Sequence, residues 1–109
     1  MHTHADARRI ALARPEADEA PHFDSTAFRV RKKIFCTMGE NGPDITLKLS
    51  PEDQHNLFED DPDSIRPVSG YWGRNGWTQV TIEAMDPARL ESLIRMAWAA
   101  VAPKRLLKP

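Results

Sequence analysis

The reactive and metal-binding side chains of this sequence do not form a recognisable catalytic or metal site. The single cysteine, Cys36, has Ile34 and Met38 two positions away on either side, which is typical of a buried residue in a strand. The acidic run EDDPDS, residues 59–64, lacks the central glycine and terminal glutamate of a calcium loop. The histidines lack the spacing of zinc ligands; they are His2, His4, His22 and His55. We therefore expect no metal, no cofactor and no enzymatic activity.

The segment GYWGRNGW, residues 70–77, combines aromatic, basic and glycine residues. A glycine-rich phosphate-binding loop joins a strand to a helix, whereas this segment lies between two predicted strands. Asn75 and Gly76 tolerate the positive φ of a two-residue hairpin turn, so the sequence predicts a β-hairpin with its tip at these residues. The predicted register places four side chains on the outer face of the sheet: Trp72, Arg74, Trp77 and Gln79. It turns the other set toward the helices: Tyr71, Thr78, Val80 and Ile82.

This division between two faces depends on the hairpin register, because a slip of one residue would exchange the two sets. Exposed tryptophans on an outer face suit stacking on bases, contact with a cation or packing against another protein. The alternative is that the tryptophans only stabilise the hairpin through contacts across the strands.

Charge is distributed unevenly along the chain. Basic residues gather in FRVRKK, residues 28–33, and in the C-terminal tail, whereas residues 50–63 contain acids and no lysine or arginine. The net charge is only -1 and the isoelectric point is about 6.4. The asymmetry would therefore steer a polyanion toward one part of the molecule, and this distribution matters more than the total charge. The alternative is that these charged loops are simply solvated.

The chain has 109 residues, 40% of them hydrophobic, which fits a single domain over residues 1–109 with one core. No apolar run approaches the ~20 residues that cross a membrane. Charged residues occupy the N-terminus where a signal peptide would need its apolar stretch, so we expect a cytoplasmic protein without a membrane partner.

Periodicity and turn residues predict the elements of the first half of the chain. A first helix covers residues 3–14, and residues 15–25 form a polar connector. Two strands follow, one around Phe28 and Val30 and one over residues 34–38, with a tight turn at Arg31 and Lys32. A loop rich in turn residues, 38–44, leads to a third strand over residues 45–49.

The second half contains two helices and two strands. Ser50 is a predicted N-cap and Pro51 a predicted first helical residue, for a helix that cannot pass Pro62. Strands are predicted over residues 66–72 and 77–82. Asp86 caps a final helix whose apolar stripe packs on the sheet: Leu90, Leu93, Ile94, Ala97 and Val101. The order α-β(3)-α-β(2)-α predicts an α+β, two-layer fold with an antiparallel sheet and helices on one face.

Four motifs in these elements carry a family resemblance: F-R-V-x-x-K-I-F-C, L-K-L-S-P-E, W-T-Q-V-T-I and L-I-R-M-A-W. Together they resemble the MmcQ/YjbR family of small bacterial proteins over residues 15–107. The resemblance implies the same order of helices and strands, and a proposed DNA-binding role in which two hairpins act as paired wings. The sequence departs from the family in its compact GYWGRNGW, where relatives often carry a longer loop that contains lysine.

Two functions of different classes follow. The first is weak, sequence-tolerant DNA binding through side chains of the two predicted hairpins: Arg29, Arg31, Lys32, Lys33 and Arg74, with Trp72 as a stacking or wedge residue. The second is a protein-interaction or homodimeric module that uses the outer face of the sheet. The near-neutral isoelectric point argues against tight, constitutive DNA binding.

Overall fold

The computed structural model describes residues 4–39, 44–83 and 85–107. Its helices are α1 (His4–Leu12), α2 (Pro51–Asp60), α3 (Tyr71–Arg74), α4 (Pro87–Val101) and α5 (Lys104–Leu107). Its strands are β1 (Ala17–His22), β2 (Ser25–Val30), β3 (Lys33–Met38), β4 (Asp44–Lys48), β5 (Ile65–Pro67) and β6 (Trp77–Thr81). His2 and most of the predicted loop at residues 38–44 lie outside the described residues.

The six strands form one antiparallel sheet in the order β1-β2-β3-β4-β6-β5. Helix α4 packs against β2, β3 and β4, and α1 packs against α4 and β1. Helix α2 lies on the same side, because Leu57 packs against the shared core. The opposite side of the sheet, which we call the open face, is not covered by these three helices. The two-layer α+β fold with helices on one face is therefore confirmed.

Helix α4 has the cap and the apolar stripe that the sequence predicts for the final helix. The Asp86 side chain accepts a hydrogen bond from the N–H of Ala88 at 2.8 Å, and Pro87 is the first helical residue. Four residues of the stripe are buried and Val101 is half-buried. They meet a core of sheet residues that includes Phe28, Phe35, Leu47 and Val80. Burial of this stripe contributes to holding the two layers together.

The start of α2 is also as predicted. The Ser50 hydroxyl accepts a hydrogen bond from the N–H of Asp53 at 3.1 Å, and Pro51 opens the helix, where a missing N–H costs nothing. The helix ends at Asp60, before Pro62.

The predicted turn between β2 and β3 is confirmed. Arg31 and Lys32 have φ values of 52° and 69°, which is the left-handed conformation that both central residues of a type I′ turn adopt. Behind the turn the register shifts, so that Arg29 pairs with Ile34 while Phe28 pairs with Cys36. The shift leaves Phe35 as an extra residue, and both Phe35 and Cys36 are buried.

The polar connector predicted for residues 15–25 is wrong, because residues 17–22 form the edge strand β1, paired with β2. The sequence ADEAPH has low β propensity, and its acids and Pro21 disguise the strand. These are the residues that proteins place on an exposed sheet edge, where charge and proline discourage pairing with another chain. Two ion pairs help to hold β1: Asp18 with Arg29 at 2.9 Å, and Glu19 with Arg8.

The predicted hairpin with its tip at Asn75 and Gly76 is also wrong. The strand before it is only Ile65–Pro67, and the chain then forms the single helical turn α3 before β6. The N–H of Arg74 donates to the Gly70 carbonyl at 3.2 Å, and the N–H of Gly76 donates to the Gly73 carbonyl at 3.0 Å. The faces of β6 are nevertheless as predicted: Thr78 and Val80 are buried, whereas Trp77 and Gln79 lie on the open face.

A candidate binding surface on the open face of the sheet

A groove runs across the open face. It has a volume of about 340 Å³, which is within the range of small-ligand sites. Its walls are mainly apolar, with two hydroxyl side chains and an imidazole among them: His22, Ile34, Thr37, Thr46, Val68, Trp72 and Trp77. The two tryptophans differ in exposure, since Trp72 is 60% exposed and Trp77 is half-buried.

Helix α3 places Trp72 at this groove, and two glycines allow α3 to pack closely on the sheet. A Cβ at Gly73 would lie 1.7 Å from the carbonyl oxygen of Val68, and one at Gly76 would lie 1.9 Å from that of Leu49. No side chain fits in either position. Gly73 and Gly76 therefore serve close backbone contact rather than the tip of a hairpin.

Gln54 of α2 fixes the position of α3 from the core side. Its buried amide nitrogen lies 2.9 Å from the Gly73 carbonyl, 3.1 Å from the Trp77 carbonyl and 3.0 Å from the Thr78 hydroxyl. Both carbonyls also accept backbone N–H groups, from Gly76 and Val68, so the Gln54 amide adds a buried side-chain donor that joins α2 to α3 and to the start of β6. No pattern in the sequence signals Gln54, because it is one polar residue in a polar helix.

The hairpin prediction placed Arg74 on the same face as Trp72. In the structure the two side chains do not share a side. Residues two apart in a helical turn point in different directions, whereas in a strand they share a face. Tyr71 is exposed instead of facing the helices, and it makes an edge contact with Trp72 at a ring distance of 5.5 Å.

The predicted DNA-contacting residues fall into two groups. Arg29 is paired with Asp18 at 2.9 Å, and Arg31 is paired with Glu16 at 2.9 Å. Lys32 and Lys33 are exposed at the hairpin, and neither has a carboxylate partner in the part of the chain that the structure describes. The sequence did not reveal these ion pairs, because both acids lie in the segment that was predicted to be a connector.

The turn of the β2–β3 hairpin, at Arg31 and Lys32, and the segment of residues 70–76 lie at the same end of the sheet, which we call the basic end. Strand β3 begins and β4 ends there, since Thr37 pairs with Thr46 in antiparallel register. Lys48 pairs with Trp77 at this end, and the N–H of Leu49 donates to the Gly76 carbonyl at 2.9 Å. The Lys48 ammonium donates to the Asn75 carbonyl. It has no carboxylate partner among the described residues.

The acidic run at residues 59–63 lies at the opposite end of the sheet. The N–H of Thr81 at the end of β6 donates to the Ser64 carbonyl at 2.8 Å, which fixes this segment there. The Arg89 Nη2 atom lies 3.8 Å from Oδ2 of Asp60 and 3.9 Å from Oδ2 of Asp61. Among the described residues, four acids at the basic end are exceptions to this separation of charge: Glu16 and Asp18, which are paired with Arg31 and Arg29, and Glu52 and Asp53 in the first turn of α2.

The remaining candidates for chemistry do not form a site. Burial raises the pKa of the Cys36 thiol far above its ordinary value, so the thiol stays protonated and is a poor nucleophile. No group of three or more possible metal ligands occurs among residues 4–39, 44–83 and 85–107. None of the helices within those residues is long and apolar enough to span a membrane.

The fold and this surface define a small α+β protein with an open antiparallel sheet and a groove on its uncovered face. The family model YjbR matches residues 12–100, and the chain belongs to that family. A search of curated proteins found no match.

Solved structures resemble this chain over nearly its whole length. Protein DR2400 of Deinococcus radiodurans, which has a DUF419 domain, is 22% identical with a TM-score of 0.82; the match covers 100% of this chain and 91% of that one. A protein from Pseudomonas syringae is 18% identical with a TM-score of 0.65, covering 92% of this chain and 98% of that one. At these identities the likeness concerns the fold.

Proposed function

We propose that this chain is a non-enzymatic, cytoplasmic DNA-binding protein that contacts phosphates through the basic end of its sheet. The observation that supports this function is the separation of charge between the two ends. Four cations at the basic end have no carboxylate partner among the described residues: Lys32, Lys33, Lys48 and Arg74. The acidic run at residues 59–63 at the other end would orient a polyanion toward these cations.

Arg29 and Arg31 have a smaller role in this proposal than the sequence suggested. Each would have to exchange a carboxylate for a phosphate, so the gain from a DNA contact is reduced by the loss of an existing ion pair. The contacts are therefore assigned to the four unpaired cations. Such contacts carry no sequence information, and we expect binding that tolerates any sequence.

Binding of duplex DNA should be weak and steeply dependent on salt. Each phosphate contact releases about one counterion, so about four contacts give a slope of log affinity against log salt near −3 to −4. The dissociation constant should be micromolar or weaker at physiological salt.

The double charge reversal Lys32→Glu with Lys33→Glu tests this function. Both side chains are exposed, so the variant should fold normally, and losing about two contacts should reduce the slope by about 1.8. Fluorescence anisotropy of a labelled duplex, measured at several salt concentrations, gives the slope for each protein.

The matched control is Arg9→Glu with Arg95→Glu, which changes the net charge equally on α1 and α4, away from the basic end. The control should retain the original slope. Equal losses in both variants would mean that only the total charge matters, and the proposed site would be rejected.

A second candidate function is self-association or protein binding through the open face, and it is favoured by exposed aromatic side chains. Phe23, at the tip of the β1–β2 turn, is 95% exposed and has a φ of 56°, which is unfavourable for a bulky residue. Its ring makes an edge contact with His22, which lines the groove, at 4.9 Å. Tyr71 and Trp72 are exposed at the other side of the groove.

A further inference from the structure

The groove on the open face has the composition of a site for a flat, polar ring. Trp72 offers an exposed aromatic surface, and Trp77, Ile34 and Val68 supply apolar walls. The hydroxyl groups of Thr37 and Thr46 lie side by side on neighbouring strands and can exchange hydrogen bonds with the edge of a ring.

The charges beside the groove indicate which kind of ring it suits. Lys48 lies directly across from Trp77 on the same face, and its ammonium has no carboxylate partner among the described residues. Arg29 lies on that face across from Ile34, but it is ion-paired with Asp18. Within the described part of the chain, the groove therefore has one cation without a carboxylate partner at its aromatic end, Lys48, which complements a ring attached to a negatively charged backbone.

We propose that the groove binds an unpaired base of a single-stranded nucleic acid, with Trp72 stacking on the base and Lys48 contacting a neighbouring phosphate. This inference rests on the nucleic-acid function proposed above and names its preferred ligand. A base within a duplex is stacked on both sides and paired at its edge, so it cannot enter the groove without being extruded. Duplex DNA is limited to phosphate contacts at the basic end, whereas a single strand gains the stacking contact as well.

The variants Trp72→Ala and Trp72→Phe test the stacking contact. The side chain is 60% exposed, so neither variant should impair folding, which the melting temperature checks. The probes are a fluorescein-labelled oligothymidylate and a labelled duplex of equal length. Trp72→Ala should weaken binding of the oligothymidylate by about 5- to 150-fold, which corresponds to the usual worth of one stacked base. It should leave the salt slope and the duplex affinity unchanged, and Trp72→Phe should retain most of the affinity.

The two proposals fail in different ways. If Trp72→Ala binds the oligothymidylate as well as the original chain does, while the reversal of Lys32 and Lys33 still weakens binding, the stacking inference is overturned and the nucleic-acid function stands. If the original chain binds neither probe even at low salt, the nucleic-acid function itself falls. If binding is absent and Trp72→Ala instead abolishes self-association, the groove is a protein contact and the inference is overturned.

Discussion

At the scale of single residues, exposure separates the tryptophans by role. Trp98 of α4 is 5% exposed, and its indole N–H donates to the Pro15 carbonyl at 3.0 Å, so it joins the final helix to the start of β1. Trp72 is 60% exposed and makes no such bond among the described residues. Trp72 is therefore the more exposed of the two, in keeping with its predicted place on the outer face, although the hairpin from which that place was argued does not exist. Trp98 serves the core, whereas Trp72 lines the groove on the open face.

Gly73 is the residue on which the position of Trp72 most depends. We expect Gly73→Ala to lower the free energy of unfolding by about 1–3 kcal/mol, because the new Cβ would overlap the Val68 carbonyl and force α3 away from the sheet. Urea denaturation followed by circular dichroism measures the change. Ser69→Ala, at an exposed neighbouring position, is the control and should alter stability by less than about 0.5 kcal/mol. Equal stability of the two variants would contradict the close packing of α3.

At the scale of elements, α4 contributes the apolar stripe and the sheet supplies the matching surface. Leu90, Ile94 and Ala97 are fully buried, and Leu93 is 2% exposed. The helix packs across β2, β3 and β4, so it braces the centre of the sheet rather than one edge. A disturbance of this stripe should therefore affect the whole fold.

Leu93→Asp tests this role. An unpaired carboxylate in the core should lower the free energy of unfolding by at least about 3 kcal/mol. Ser92→Asp adds the same charge on the exposed side of α4 and should change stability by less than about 0.5 kcal/mol. Thermal denaturation of both variants makes the comparison. A melting temperature for Leu93→Asp equal to that of Ser92→Asp would show that the stripe does not face the core.

At the scale of the whole molecule, the antiparallel sheet brings distant parts of the chain to a common end. Lys32 in the β2–β3 turn, Lys48 at the end of β4 and Arg74 in α3 lie at that end because alternate strand ends lie on the same side. The near-neutral total charge conceals this concentration of cations. A single strand lying across the open face would run from these cations toward the groove.

Sedimentation velocity separates the two candidate functions at this scale. If the open face binds nucleic acid, the original chain should sediment as a monomer at all concentrations. If it binds a second copy, the sedimentation coefficient should rise with concentration, and Phe23→Ser or Trp72→Ala should abolish the rise. His55→Ala, on the exposed surface of α2, is the control for an unrelated aromatic position. A concentration-dependent rise lost only in the open-face variants would favour the self-association function.

The sequence by itself determined the two-layer α+β fold, both helix caps, the stripe of α4 and the turn at Arg31 and Lys32. These features depend on residues close in the chain, whose periodicity, caps and turn conformations follow from local chemistry. Tertiary structure alone decided that residues 17–22 form an edge strand, because pairing with β2 overrides their weak propensity. It also decided that residues 71–74 form a helical turn, in which the Gly73 carbonyl contacts the buried amide of Gln54, 19 residues away in the chain, and Gly73 packs against the Val68 carbonyl. The ion pairs of Arg29 and Arg31 depend in turn on β1. Which cations remain free, and where Trp72 stands, are consequences of contacts between segments that no local pattern encodes.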